Sequence, residues 1–236
     1  VELNDSYKSI LESLIHGGTE NEVKVNVKSI HSEYLNKENI NKELVDLDGI
    51  IVAPGFGQRG LDGKILAVEY SRINKIPFLG ICLGMQMAVI EYARNVKKIR
   101  YANSTEISEK CKDPVIDLMT SQKEIINKGG TMRLGAWDCE ILKDTVSRKI
   151  YSKKMISERH RHRYEFNNEY SKEIFDENFI VAGRNPDTNL VEIVENRDHP
   201  WFVGVQFHPE YKSSVYNPHP IFVNFVKAGL KNYLKK

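Results

Sequence analysis

The sequence is poor in several things that would each have pointed to a particular class of protein. It has only three cysteines in 236 residues, Cys82, Cys111 and Cys139. An odd, sparse set with no Cys-x-x-Cys spacing excludes a disulfide framework and a zinc-ribbon reading, and fits a reducing compartment. There is no apolar run near the ~20 residues that span a bilayer, so no membrane partner is expected. The net charge of +2 is too small to mark a nucleic-acid surface. Internal repeats, low-complexity tracts and Gly/Ser linkers are missing as well, so the whole chain, 1–236, reads as one domain.

What is present has ordinary globular composition, 41% hydrophobic and 28% charged. Asn4-Asp5-Ser6 offers caps for a first helix. Tyr7, Ile10, Leu11, Leu14 and Ile15 follow at helical spacing, and Gly17-Gly18 is expected to stop it. Val23, Val25 and Val27 alternate as in a strand. The charged stretch from Asn36 to Asp46 is loop or surface helix. Gly49 to Ala53 is a short apolar strand running into the turn Pro54-Gly55-Phe56-Gly57. Residues 61–74 are helical, Ile76 to Ile81 is a second buried strand, and residues 83–95 are helical again. This alternation predicts an α/β fold, an open, mostly parallel sheet with helices on both faces.

Beyond it, Met132–Leu142, Phe179–Gly183, Leu190–Glu195 and Trp201–Phe207 read as strands with few helices between, an additional antiparallel portion. A final helix opens at Pro220, with Ile221, Phe222, Phe225, Val226 and Leu230 on one face. The stretch from Asn103 to Gly130 is polar, irregular and long for a structureless connection.

Gly80-Ile81-Cys82-Leu83-Gly84 has the form Gly-x-Cys-x-Gly between a strand and a helix. A nucleophile on such an elbow needs glycines beside it, because side chains there would meet the neighbouring strand and helix. The sulfur would project from the carboxyl edge of the sheet, at a helix N-terminus that favours negative charge. A free cysteine is also commonly just a small buried hydrophobe, and the pentapeptide alone supports both readings. Cysteine chemistry on an amide needs a base. Of seven histidines, His208 ends an apolar strand, and in Phe207-His208-Pro209-Glu210 the acid lies two residues on. On an extended segment those two side chains share a face, so Glu210 could orient His208 toward Cys82.

With these residues in view, Gly80–Gln86 and Gln206–Glu210 resemble the class I (triad) glutamine amidotransferases, whose fold is flavodoxin-like. Four further blocks resemble the CTP synthase family in particular: Pro54–Gly60, Ala102–Glu106, Gly129–Gly135 and Glu158–Asn167. The resemblance implies that Cys82 attacks the side-chain amide of L-glutamine and that the N–H groups of Gly55 and Leu83 form the oxyanion hole. It implies that Glu106 receives the substrate's α-ammonium and Arg163 its α-carboxylate, with Gly84, Met85 and Gln86 beside the pocket. Arg59 is implied as a contact for GTP, the family's allosteric activator, or as a lid residue. Without the resemblance, Glu106 is a surface charge and Arg159-His160-Arg161-His162-Arg163 a solvated basic stripe.

No cofactor or metal is expected in this domain. The family's N-terminal synthetase domain, which uses ATP and Mg²⁺ to activate UTP, would be the partner. That domain and the first core strand are expected to precede Val1. The full-length protein is expected to be a cytoplasmic homotetramer, and this domain alone a monomer. One departure is that Ala53-Pro54-Gly55 keeps one glycine before Phe56 where the family often has two. The alternatives are the amidotransferase part of another biosynthetic complex, a γ-glutamyl hydrolase, or a catalytically silent regulatory module on the same fold.

Overall fold

A computed structural model describes residues 7–118 and 132–236. The caps at Asn4–Ser6 and the segment Gly129-Gly130-Thr131 lie outside the described residues. The first half alternates as its apolar pattern dictates: helices α1 (Lys8–Glu20) and α2 (Ile40–Leu44), strand β1 (Ile50–Val52), helix α3 (Leu61–Asn74), strand β2 (Phe78–Ile81) and helix α4 (Leu83–Asn95). Then follow β3 (Ala102–Ser104), β4 (Asp113–Leu118), β5 (Arg133–Ile141), α5 (Val146–Tyr151), β6 (Met155–His162), β7 (Tyr164–Phe166), α6 (Ser171–Ile174), β8 (Phe179–Arg184), β9 (Val191–Asn196), β10 (Phe202–Val205) and α7 (Pro220–Tyr233).

Seven strands form the main sheet in the order β1-β2-β10-β9-β8-β5-β6. The pairs β1–β2 and β2–β10 are parallel. The other four pairings are antiparallel, so the antiparallel portion takes a larger share than the sequence pattern suggested. Alternation along β2 and β10 builds two cores. Phe78 and Phe202 face α3 and α4, their rings stacked at 4.2 Å. Leu79, Ile81, Val203 and Val205 face α1 and α7. A buried bidentate pair, Arg72 on α3 with Glu91 on α4 (Nη2–Oε1 2.6 Å, Nε–Oε2 2.9 Å), fixes those two helices to each other. No helix among the described residues is long and apolar enough to cross a membrane.

Three local expectations are corrected. Helix α1 does not stop at Gly17-Gly18 but runs on to Glu20. The glycines instead let α1 lie close against its neighbours, since a Cβ on Gly17 would come 2.8 Å from the Phe222 carbonyl oxygen of α7. Residues 23–27 are extended but join no ladder; Val23 and Val25 pack against the core while Val27 faces outward. The stretch after Asn103 is not structureless in its described part. Its strands β3 and β4 pair in parallel, and β7 adds antiparallel to make a separate three-stranded sheet, β3-β4-β7.

The elbow leaves no room for side chains at its glycines. A Cβ on Gly84 would lie 2.0 Å from the Val52 carbonyl oxygen, and one on Gly80 would lie 2.7 Å from the Gly84 carbonyl carbon. Both obstacles are backbone and cannot rotate away. Gly84→Ala is therefore expected to lower stability by about 3 kcal/mol or more, read as a shift in the urea unfolding midpoint.

Candidate active site

Strand β2 delivers Cys82 to the first turn of α4 with φ +52° and ψ −103°, backbone angles that a residue with a Cβ adopts only under constraint. The constraint is visible: Cys82 N–H donates to the Val205 carbonyl at 2.7 Å, which ties the elbow to the end of β10. Leu83, as the first residue of α4, has no intrahelical acceptor for its N–H.

The same ladder brings the base into place. Val205 pairs with Ile81, so the chain leaving β10 passes beside the elbow. Gln206 Nε2 lies 3.7 Å from Cys82 Sγ. His208 is held by its N–H, which donates to the Arg159 carbonyl of β6 at 2.8 Å. Its Nδ1 is 2.7 Å from Glu210 Oε1, and the Tyr211 ring stacks on it at 5.1 Å. The shared face of His208 and Glu210 does not come from an extended segment, as the spacing suggested. Pro209 instead opens a short 3₁₀ turn, Pro209–Lys212, which folds the carboxylate back on the imidazole. Burial works against protonation of His208, but Cys82 and Glu210 outweigh it and hold the ring at about 10, well above its usual value. With Nδ1 engaged by Glu210, Nε2 is buried and is the nitrogen available to Cys82.

Cys82 opens into a cavity of about 350 Å³ lined by Gly55, Phe56, Leu83, Gln86, Glu106 and Arg163, together with Met132, Arg161, His162 and Tyr164. Glu106 follows β3, and its Oε1 accepts the Gly57 N–H at 3.1 Å. Burial raises its pKa, against the pull of Gly57, Arg163 and Lys64. Gln86, fully inside, donates to the Tyr164 carbonyl at 2.9 Å and to Gln206 Oε1 at 3.2 Å. Arg161 lies over the Phe56 ring, 5.4 Å from its centre, and forms a wall.

Not every expected residue is at the cavity. Met85 is buried in the core and Gly84 is pressed against Val52, so neither lines it. Arg59 is largely exposed and pairs with Glu33 at 2.9 Å, away from the pocket.

The Arg-His stripe is corrected most. Residues 155–162 form a strand whose alternate side chains Ile156, Glu158, His160 and His162 are buried. His160 and His162 touch at 2.8 Å and meet Arg133, Glu165 and Glu192 in one buried polar cluster, where Arg133 reaches Glu192 at 2.7 Å and Glu165 at 3.2 Å. Burial, reinforced by Arg133, depresses both imidazoles, while burial holds Glu165 and Glu192 well above the carboxylate range. Sequence reasoning missed this cluster and also Lys64. A period-two alternation of arginine with histidine was the signal for the first.

A strained cysteine at a strand-to-helix elbow, with a His–Glu pair beside it and a cavity in front of it, is a constellation on which thiol-dependent enzymes of the α/β class are built. The family model for glutamine amidotransferase class-I matches residues 2–228. CTP synthase of Christiangramia forsetii is 61% identical over 236 residues, all of this chain and 43% of that protein. CTP synthase of Clostridium acetobutylicum is 59% identical over 229 residues, 97% of this chain and 43% of that protein. The crystallised glutaminase domain of Trypanosoma brucei CTPS with bound acivicin superposes with a TM-score of 0.90 at 37% identity, covering 97% of this chain and 89% of that one. The chain belongs to the class I glutamine amidotransferases, and within them to the glutaminase domains of CTP synthases. It spans less than half the length of the curated relatives it matches.

The two neighbours that raise the His208 pKa give a direct test. In Cys82→Ala the His208 ring is expected to titrate below its wild-type value, since one of the two partners that favour the protonated ring is gone. Ring-proton NMR across the pH range measures this, and an unchanged titration would mean that Glu210 alone sets it.

Proposed function

We propose that this chain hydrolyses the side-chain amide of L-glutamine through a thioester on Cys82. The observation that carries the reading is that one cavity holds three things at once: the sulfur, a carboxylate at Glu106 and a guanidinium at Arg163. A free α-amino acid has a positive and a negative end beside its side chain. Glu106 takes the ammonium and Arg163 the carboxylate, which leaves the amide against Cys82.

His208 carries the proton taken from the Cys82 thiol, the resulting thiolate adds to the carbonyl carbon, and the oxyanion is met by the N–H groups of Gly55 and Leu83. The tetrahedral intermediate collapses with loss of ammonia, which takes its proton from His208. Water, deprotonated by the same imidazole, then cleaves the thioester to glutamate. Glu210 orients the ring throughout.

In the full-length protein the ammonia serves the synthetase domain, which activates UTP with ATP and Mg²⁺ and yields CTP. GTP stimulates the glutaminase step, with Arg59 near its contact. The whole enzyme is a cytoplasmic homotetramer assembled through the synthetase part, with this domain monomeric by itself.

Cys82→Ala in the full-length protein is expected to abolish CTP formation from glutamine and to spare formation from added ammonia. Loss of both activities in folded protein would overturn the assignment. Arg163→Met is expected to raise the KM for glutamine roughly tenfold or more, as befits a lost hydrogen bond to a charged group, in steady-state glutaminase assays.

A further inference from the structure

The loop that carries Gly55 is held from behind by two side chains that belong to no motif and do not line the cavity at Cys82. Tyr7, at the start of α1, donates its hydroxyl to the Pro54 carbonyl at 3.0 Å. Lys64, in the first turn of α3, donates its ammonium to the Ala53 carbonyl at 3.2 Å. Both crowd one side of Gly55: a Cβ there would sit 3.3 Å from Lys64 Nζ and 4.0 Å from the Tyr7 hydroxyl. The geometry of the peptide bond gives these contacts a consequence. The Pro54 carbonyl and the Gly55 N–H belong to the same planar unit, and the chain has no cis bonds among the described residues. In a trans peptide the two groups point in opposite directions. Whatever fixes the Pro54 oxygen fixes the Gly55 N–H, aimed away from Tyr7.

We propose that Tyr7 and Lys64 are positioning residues of the oxyanion hole. Tyr7 aims the Gly55 N–H by binding the carbonyl of its own peptide. Lys64 locks the preceding peptide and keeps a positive charge beside Cys82 and Glu106. This rests on the reading of Gly55 as an oxyanion donor in amide hydrolysis at Cys82.

The electrostatics around Lys64 agree with the contacts. Burial lowers its pKa to about 8, while Cys82 and Glu106 pull it upward, so both negative partners are close enough to act on it. Desolvating an ammonium is costly, and a methionine could cover the same apolar surface at no such cost. What the lysine adds is a donor to Ala53 and a charge near the sulfur. A donor that is already aimed before the oxyanion forms needs no reorganisation in the transition state, which is where such groups act most strongly.

The test uses the full-length protein and two independent readouts. Glutamine hydrolysis by the wild type and its loss in Cys82→Ala come first; failure there would sink the functional reading itself, apart from this proposal. The first readout is kcat and KM for glutamine. The second is the rate at which iodoacetamide alkylates Cys82 at neutral pH, a displacement at saturated carbon that forms no oxyanion and so ignores the hole.

Tyr7→Phe keeps the ring and loses only the hydroxyl. It is expected to lower kcat roughly tenfold, with KM and the alkylation rate unchanged. Lys64→Met is expected to lower kcat and also to slow alkylation, and Lys64→Arg to restore the alkylation rate. An unaltered alkylation rate in Tyr7→Phe also reports an intact fold around the sulfur. Wild-type kcat in Tyr7→Phe, or a rise in KM alone, would overturn the role given to Tyr7. Wild-type kcat and alkylation in Lys64→Met would overturn that given to Lys64.

Discussion

The structure depends on one turn. At Cys82 the chain passes from β2 to α4 through φ +52°, and it can do so only because Gly80 and Gly84 leave room for the backbone of each other and of Val52. The turn presses α4 onto β1 and places the sulfur at the carboxyl edge of the parallel strands, the usual ligand edge of such sheets. It also fixes where the base must be. The Cys82 N–H is bound by the Val205 carbonyl, so whatever follows β10 emerges beside the sulfur. Gln206 and His208 are what follow. The triad is therefore a consequence of pairing β2 with β10 in parallel register, and the long sequence separation of its members is incidental.

Three buried histidines lie close together here, and their neighbours drive them in opposite directions. His208 faces Cys82 and Glu210 and is held protonated more readily than a free imidazole. His160 and His162 face Arg133, which reinforces burial in keeping them neutral. Neutral, they can fill the space under β10 as hydrogen-bonding groups without repelling the base. Arg133 in turn meets two carboxyls, Glu165 and Glu192, whose burial keeps a proton within reach of the group. One cation thus serves several buried polar groups, which is tolerable in a low-dielectric interior only when they are knitted together. That cluster stiffens β5 and β6, and β6 supplies the carbonyl of Arg159 that holds His208.

These relations explain what the sequence could show. The elements β1, α3, β2, α4 and α7 were legible, because each buries an apolar pattern of its own period, and Gly49, Gly60, Pro77 and Pro220 mark where four of them begin. The grouping of Cys82, His208 and Glu210 was legible because Gly80, Gly84 and Pro209 stand beside them for steric reasons that depend on few neighbours. Helix α1 was misjudged at Gly17-Gly18, since glycine stops a helix in isolation but admits a close partner in a packed one. Strand β6 was hidden for a similar reason. Its inward face is His and Glu, which look solvated until Arg133 and Glu192 are known to lie opposite. Lys64 and the Tyr7 hydroxyl carried no signal for this contact, because their partners are backbone carbonyls, which look the same at every residue.

The division of labour between the two sheets follows from the same facts. The large sheet supplies Cys82 and His208, held by backbone contacts to Val205 and Arg159, and the loop with Gly55, held by the side chains of Tyr7 and Lys64. The small sheet carries Glu106 just beyond β3 and Arg163 just before β7, with β4 between them as a spacer. The two parts meet at polar points, among them the Gly57 N–H on Glu106 and Gln86 on the Tyr164 carbonyl, and they share a core, since Ala102, Ile116 and Phe166 of the small sheet pack in the same cluster as Met85 and Val89 of α4. The side chains at the far end of the cavity are thus held by the same core that carries the elbow. The loop after β1 joins the two, since Gly57 on one side of Phe56 binds Glu106 and Gly55 on the other lines the cavity beside Cys82. The carboxylate that the small sheet brings to the cavity is thereby tied to the same short loop that Tyr7 and Lys64 hold from behind.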